Sequence, residues 1–169
     1  MSKWSTRQIA TAAIIAALYT VMSLLSSILG LTYGPIQCRF SEALCVLPFF
    51  LPETAWGLGV GCLIANLLSP YGVLDIVVGS AATLLAALLT ARCQKKWLAP
   101  LPPVIANTVL IGLVLAYEQA GTSAAFWPTY AFNALTVGLG ETVACYGLGG
   151  LLLWRLDKSN ALQRYLQNR

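Results

Sequence analysis

The sequence predicts an all-α membrane protein: one bundle of six transmembrane helices, with both termini on the cytoplasmic side. Three observations predict it. The 169 residues are 58% hydrophobic and only 9% charged, whereas a soluble domain carries roughly 25% charged residues. So few charges cannot cover a water-facing surface. The chain also divides into six apolar stretches that use nearly its whole length, which leaves no room for a soluble domain. Finally, the ten Lys and Arg residues lie unevenly at the ends of those stretches. With the N-terminus inside, Lys3, Arg7, Arg92, Lys95, Lys96, Arg155, Lys158, Arg164 and Arg169 are all cytoplasmic. Arg39 alone is outside, a strong positive-inside pattern.

The first helix is expected over residues 6–29. Lys3 and Arg7 before an apolar run resemble a signal peptide. The run from Ile9 to Leu31 is longer than the ~7–15 residues of a signal core, and no A-x-A cleavage site follows it. It is therefore read as a span, stopped by Gly30 and Gly34-Pro35. The second element, 41–51, is the unusual one. Arg39-Phe40-Ser41-Glu42 leads into an apolar run that contains Pro48 and ends at Pro52-Glu53. That run is about half of the ~20 residues a straight spanning helix needs. Short broken segments with ionic groups at the mouth occur where non-helical backbone lines a cavity. Counting it as a crossing is also what keeps the later basic clusters inside.

The third helix, 53–68, opens on Glu53, and the fourth, 75–93, on Asp75. An acid suits the positive end of a helix. Between them, Ser69-Pro70-Tyr71-Gly72 has the residue types of a turn. The fifth, 102–119, opens on Pro102-Pro103, where proline costs least. The sixth, 126–156, opens at Phe126-Trp127-Pro128, and the polar tail 157–169 reads as a short surface helix. Trp4, Trp56, Trp97, Trp127 and Trp154 fall near the predicted span ends, as an aromatic belt does.

Ionisable and amide groups within spans carry the functional information, because burying them is costly. Glu141 stands about 15 residues from each end of its helix, near the bilayer midplane at ~1.5 Å per residue. It is either a buried carboxylate that bonds between helices or a solute-linked group at a cavity floor. Arg39 and Glu42 are three apart. They form an ordinary surface pair or flank the mouth of a site. Asp75 is a helix-terminal acid or a site acid. Asn66, Asn107 and Asn133 serve helix packing or a ligand. Together, carboxylates and amides suit a planar, donor-rich heterocycle: a carboxylate accepts two N–H bonds, and an amide gives one and takes one. Aromatic stacking from Tyr71, Trp127 or Tyr130 would add to this.

Other chemistry is scarce. Cys38, Cys45, Cys62, Cys93 and Cys145 form no C-x-x-C pair and read as small buried hydrophobes. With no histidine, the usual general base and metal ligand is missing. No Walker, G-x-S-x-G or H-E-x-x-H motif occurs. The chain reads as neither an enzyme nor a cofactor or metal binder, and its net charge of +4 reports orientation, not nucleic-acid binding. If ATP drives transport, the ATPase is another chain. Small-residue spacing is abundant: Ala12-x-x-x-Ala16, Ala13-x-x-x-Ala17 and Gly57-x-x-x-Gly61-x-x-x-Ala65. It lets helices approach closely, without saying which face meets another protein.

Arg39-Phe40-Ser41-Glu42-Ala43-Leu44 with Leu47-Pro48-Phe49-Phe50, then Gly61-Cys62-Leu63-Ile64-Ala65-Asn66-Leu67, resemble the queuosine-precursor transporter family. So do Asp75-Ile76-Val77 with Gly79-Ser80, Leu101-Pro102-Pro103-Val104-Ile105 with Asn107, and Val137-Gly138-Leu139-Gly140-Glu141. These are substrate-binding (S) components of energy-coupling factor (ECF) transporters. The resemblance runs from about Ile9 to Arg155, with its blocks in the family's order. It implies a six-helix S component in a bacterial plasma membrane. The solute would be a 7-deazaguanine: the aminomethyl or nitrile precursor of queuosine, or queuine. The partners would be a transmembrane T component and two ATPase subunits. Ala12, Ala13, Ala16 and Ala17 match the alanine motif by which such S components dock. One departure is Cys45, where the family pattern has Thr or a similar small residue. From polarity and depth, the solute-binding set is Arg39, Glu42, Asn66, Asp75, Asn107, Asn133 and Glu141. An S component for another vitamin or nucleobase, or a small membrane scaffold protein, are the competing functions.

Overall fold

The computed structural model describes residues 4–32, 38–68 and 72–167. Among these the chain is all helical, in seven helices. They are α1 (Thr6–Ile28), α2 (Phe40–Phe49), α3 (Thr54–Asn66), α4 (Gly72–Thr90), α5 (Leu101–Ala120), α6 (Phe126–Asp157) and α7 (Asn160–Gln167). Four are long and apolar enough to cross a membrane: α1, α4, α5 with its lead-in from Lys96, and α6. The apolar helices α2 and α3 are shorter. The turn 69–71 and residues 33–37, where sequence breakers were expected, lie outside the described residues.

Helix α1 starts in a capping box, with Ser5 and Gln8 each bonding the other's backbone N–H, which satisfies two donors a helix start leaves open. Its inward face is Ala12, Ala16, Tyr19, Ser23 and Ser26, at alternating steps of four and three. Its outward face carries Ile9, Ile14, Leu18, Val21, Leu25 and Ile28. The inward alanines meet the glycines of α3. A Cβ on Gly57 would lie 2.3 Å from the Ala12 carbonyl oxygen, and one on Gly61 would lie 2.6 Å from that of Ala16. The two backbones are therefore in direct contact, as small-residue stripes permit.

Helix α2 is the centre of the bundle. It touches α1, α3, α4 and α6, while α1–α3, α3–α4, α4–α5 and α5–α6 pack side by side around it. Every residue from Ser41 to Pro48 is buried. The main core cluster joins its Leu44, Cys45 and Leu47 to Tyr19, Ala55, Leu58, Cys62 and Ala87. It is a 3₁₀-helix, where the sequence suggested a short broken element over 41–51. Ten residues rise about 20 Å in this form, against about 15 Å in an α-helix. The narrower, longer rod suits a central position with little room and a short chain.

The start of α3 falls where expected, with Glu53 as its N-cap, whereas the start of α4 does not. Glu53 and Asp75 were read as acids in the first turn of a helix. Glu53 is buried just before α3 and makes no capping bond there. The Tyr165 hydroxyl reaches its Oε1 at 3.5 Å. Helix α4 begins at Gly72, and Asp75 sits three residues inside it, in a π-turn over Asp75–Gly79 that faces the core. Tertiary contacts reach both carboxylates. Helix α4 also ends at Thr90, before Cys93.

Helix α6 is 32 residues long, about 48 Å at ~1.5 Å per residue, and holds a second π-turn over Val143–Leu148. The tail forms α7, tied down through Tyr165. Its hydroxyl lies 3.1 Å from Thr11 Oγ1, and the Arg7 guanidinium sits 5.8 Å from its ring centre. The starts of α1 and α3 and the ends of α2 and α4 meet at one end of the bundle, around Trp4, Gln8, Glu53, Trp56 and Arg92. Lys96 bonds Asp157 at 2.6 Å. Arg39 and Asn66 stand at the other end.

Candidate functional site

The site is a polar cavity enclosed by α2, α4, α5 and α6. Arg39, Glu42, Gly79, Thr83, Asn107, Ile111, Val137 and Glu141 line it. Each helix brings a pair of lining residues. The irregular backbone decides which ones.

In a 3₁₀-helix, side chains three apart eclipse one another. Arg39 at the cap of α2, then Glu42, then Cys45 accordingly share one face. The Cys45 thiol donates to Glu42 Oε2 at 3.1 Å. The Tyr19 hydroxyl of α1 donates to the other oxygen, Oε1. The departure at position 45 is therefore conservative in function, since a threonine hydroxyl is also a donor.

The mouth is set by Arg39. Its Nη1 donates to Asn66 Oδ1 at 3.0 Å, and its Nη2 lies 3.8 Å from Asp75 Oδ2. Asn66 Nδ2 donates in turn to the Asp75 backbone oxygen at 3.1 Å. The π-turn in α4 brings Asp75 and Gly79 to the same side. A Cβ on Gly79 would lie 2.7 Å from Asn66 Nδ2 and 3.2 Å from Asp75 Oδ1. A glycine is required for this cluster to close.

The floor is Glu141, halfway along α6 and just ahead of its π-turn. Asn107 of α5 hydrogen-bonds its carboxyl group. Cys145 lies four residues on. Its thiol is 3.6 Å from Glu141 Oε2 and 3.5 Å from the Glu42 backbone oxygen, so it bridges α6 to α2. The next close approach is Gly149, where a Cβ would meet Val46 Cγ1 at 2.9 Å.

Glu42, Asp75 and Glu141 are exposed by only 2%, 2% and 6%. Taking a charge out of water costs several kcal/mol unless partners compensate it. Among the described residues, Arg39 is the cation within this cluster. Carboxylates, an amide and hydroxyls in an enclosed cavity can bind and orient N–H donors. The described residues hold no group of three or more ligands placed for a metal ion.

A family model described as QueT transporter matches residues 9–158. The chain belongs to the QueT transporter family. The family is one of transporters, not of enzymes, and four of the chain's helices are long and apolar enough to cross a membrane. The chain is similar to the "Queuosine precursor transporter QueT" of Lactococcus lactis subsp. cremoris (strain MG1363), with 39% identity over 101 residues. The match covers 57% of this chain and 59% of the length of that relative. No solved structure matches the chain.

Of the seven residues singled out by polarity, Arg39, Glu42, Asn107 and Glu141 line the cavity. Asn66 and Asp75 stand behind Arg39 and hold it. Asn133 is buried elsewhere, its Nδ2 bonded to Gln119 Oε1 at 3.0 Å. It joins α6 to α5 and does not reach the cavity, because one turn and more of α6 separates it from Val137 and Glu141. Trp127, 68% exposed, stacks edge-on with Phe126 and Tyr130 away from the cavity. Tyr71 lies outside the described residues. The four alanines split: Ala12 and Ala16 are buried against α3, while Ala13 and Ala17 face outward. Residues three or four apart face one way on a helix, and adjacent ones do not.

Sequence reasoning missed Tyr19, Thr83, Gly79, Cys45 and Cys145. Spacing held a signal for some of them. Tyr19 continues the small-residue face Ala12–Ala16, Cys45 follows Glu42 by three, and Cys145 follows Glu141 by four.

Proposed function

We propose that this chain captures a queuosine precursor, a 7-deazaguanine, from outside the cell as the S component of an ECF-type transporter. The chain would lie in a bacterial plasma membrane with six crossings and cytoplasmic termini. The observation that carries the reading is the enclosed cavity in a transporter-family chain, lined by Glu42, Glu141 and Asn107. A 7-deazaguanine presents N1–H and a 2-amino group on one edge, which a carboxylate accepts together, and a carbonyl that an amide can serve. The name of the Lactococcus relative supports the same solute class.

Six crossings are supported by direction. Helices α2 and α3 are short, yet they run in opposite senses between the same two ends of the bundle as their longer neighbours. The basic residues gather at the end that holds Arg7, Arg92, Lys96 and Arg155. That end is cytoplasmic by the positive-inside rule. The cavity, with Arg39 at its mouth, then opens outward. Energy would come from separate ATPase subunits through a T component that docks on the outward alanines of α1, Ala13 and Ala17. Ala12 and Ala16 are already used inside the bundle.

The test is equilibrium binding by the purified chain to 7-deazaguanines, thiamin, riboflavin and purines. Submicromolar binding confined to the 7-deazaguanines is expected. Tighter binding to another vitamin or base would replace the solute. No binding to any of them would favour a scaffold protein.

A further inference from the structure

We infer that the crevice between the α4–α5 connection and the end of α6 binds an anionic phospholipid, with the phosphate at its basic mouth and an acyl chain along α6. The crevice is separate from the polar cavity, and the inference does not depend on the solute.

One wall is the connection, where Lys96 and Trp97 lie in a short 3₁₀ turn, Lys96–Leu98, followed by Pro100. The other wall is α6, through Tyr146, Gly150, Leu153, Trp154 and Asp157. Counted from Tyr146, these recur at four, seven, eight and eleven residues, which is one face of a helix. Gly150 leaves the middle open. A Cβ there would meet nothing within 4 Å, whereas one on its neighbour Gly149 would meet Val46 Cγ1 at 2.9 Å. The eleven residues from Tyr146 to Asp157 rise about 16 Å at ~1.5 Å each. That is about half of the ~30 Å hydrocarbon core, the depth of one leaflet. A lipid chain matches this depth, and a soluble phosphate compound does not.

Charge selects the headgroup. Lys158 Nζ lies 4.1 Å from the centre of the Trp154 ring, and Arg155 Cζ lies 5.6 Å from it. Both cations are thus held over an aromatic face at the mouth. Lys96 bonds Asp157 at 2.6 Å, so that pair is neutral. Arg155 and Lys158 add their charges to it, and the mouth is net positive. The exposed indoles of Trp97 and Trp154 carry N–H donors for phosphate and ester oxygens, and tryptophan favours this interfacial level. Basic pockets between spans suit anionic headgroups.

The test is a competition in mixed detergent micelles between equal amounts of dioleoyl phosphatidylglycerol and dioleoyl phosphatidylcholine. Native mass spectrometry counts which lipid the purified chain retains. The two share their chains and differ in charge. Each cation near the surface is worth about fivefold, so Arg155 and Lys158 predict a preference of about 25-fold for phosphatidylglycerol. Lys158→Gln should lower that preference about fivefold. Asp157→Asn frees Lys96 at little cost to the fold and should raise it about fivefold. Gly150→Leu fills the crevice without altering charge and should cut retention of phosphatidylglycerol about fivefold or more. Gly147→Leu, whose Cβ also meets open space but lies outside the crevice, should leave it unchanged. Equal retention of the two lipids by the wild type would overturn the inference. So would an equal effect of Arg164→Gln on α7, which would reduce the preference to net charge, or unchanged retention in Gly150→Leu. Lost assembly with a partner chain at unchanged lipid retention would make the crevice a protein contact instead. The wild-type comparison requires no variant to fold.

Discussion

Gly79→Ala tests whether the cluster behind Arg39 shapes the site. The new Cβ would stand 2.7 Å from Asn66 Nδ2, and ordinary contact begins at 3.4 Å. The amide must therefore retreat by about 0.7 Å, since repulsion rises steeply inside contact distance. It is not a free chain end. Nδ2 donates to the Asp75 backbone oxygen at 3.1 Å, and Oδ1 accepts from Arg39 at 3.0 Å. A retreat of that size stretches at least one of these bonds to about 3.6 Å or more, where a side-chain hydrogen bond no longer counts as one. Losing a bond to a charged group costs about 1.5–3 kcal/mol. For a chain of this size that corresponds to a fall in Tm of about 3–12 °C. Arg39, released from Asn66, also shifts at the cavity mouth, so solute affinity should fall about tenfold or more. Thermal melting in detergent and equilibrium binding read the two effects. Gly147→Ala is the control, because nothing lies within 4 Å of its new Cβ. If Gly79→Ala melts and binds as Gly147→Ala does, the close packing at Gly79 has no energetic content and the reasoning fails.

Three further outcomes follow from the same contacts. Tyr19→Phe removes the hydroxyl that donates to Glu42 Oε1; the buried carboxylate should lose about 1.5–3 kcal/mol, seen as a lower Tm and weaker binding together, and an unchanged melt would show that Glu42 does not depend on it. Asn133→Ala breaks the bond to Gln119 and should cost about 0.5–1.5 kcal/mol of stability with solute affinity unchanged; a large drop in affinity would place Asn133 in the site after all. Bulky substitutions on the outward face of α1, Ala13→Leu or Ala17→Leu, should reduce co-purification with a T component while binding stays intact. If they leave assembly untouched, docking lies on another face.

The long helices were legible from hydropathy alone, because a lipid-facing helix must be apolar over its whole length and its ends carry charge. Arg39, Glu42, Asn107 and Glu141 were legible for the complementary reason that ionic and amide groups within spans are scarce. The split among Ala12, Ala13, Ala16 and Ala17 was less so: the two stripes have the same composition, and only the glycines of α3 opposite Ala12 and Ala16 decide which turns inward. Asn133 shares the buried face of α6 with Val137 and Glu141 at steps of four, but lies one to two turns nearer the helix start. The π-turns were invisible in the sequence. A single added residue per turn re-aims Asp75, Gly79 and Cys145 without changing any local propensity.

The irregular stretches also account for how one cavity gathers so much polarity. A regular α-helix turns each residue by 100°, so Arg39, Glu42 and Cys45 would drift around the axis of α2. The three-residue repeat aligns them, and the π-turn of α4 brings Asp75 and Gly79 to the side that holds Arg39. Such backbone is tolerated at membrane depth where protein surrounds it or where it lines a cavity, and α2 meets both conditions. Its hydrogen-bond geometry is poorer than that of an α-helix, and Pro48 removes one backbone donor. Its shape is therefore imposed by the helices it touches: α1, α3, α4 and α6. The dependence runs both ways. A solute bound to Glu42 bears on the element against which four helices pack. Through Tyr19 it also bears on α1, whose opposite face carries Ala13 and Ala17.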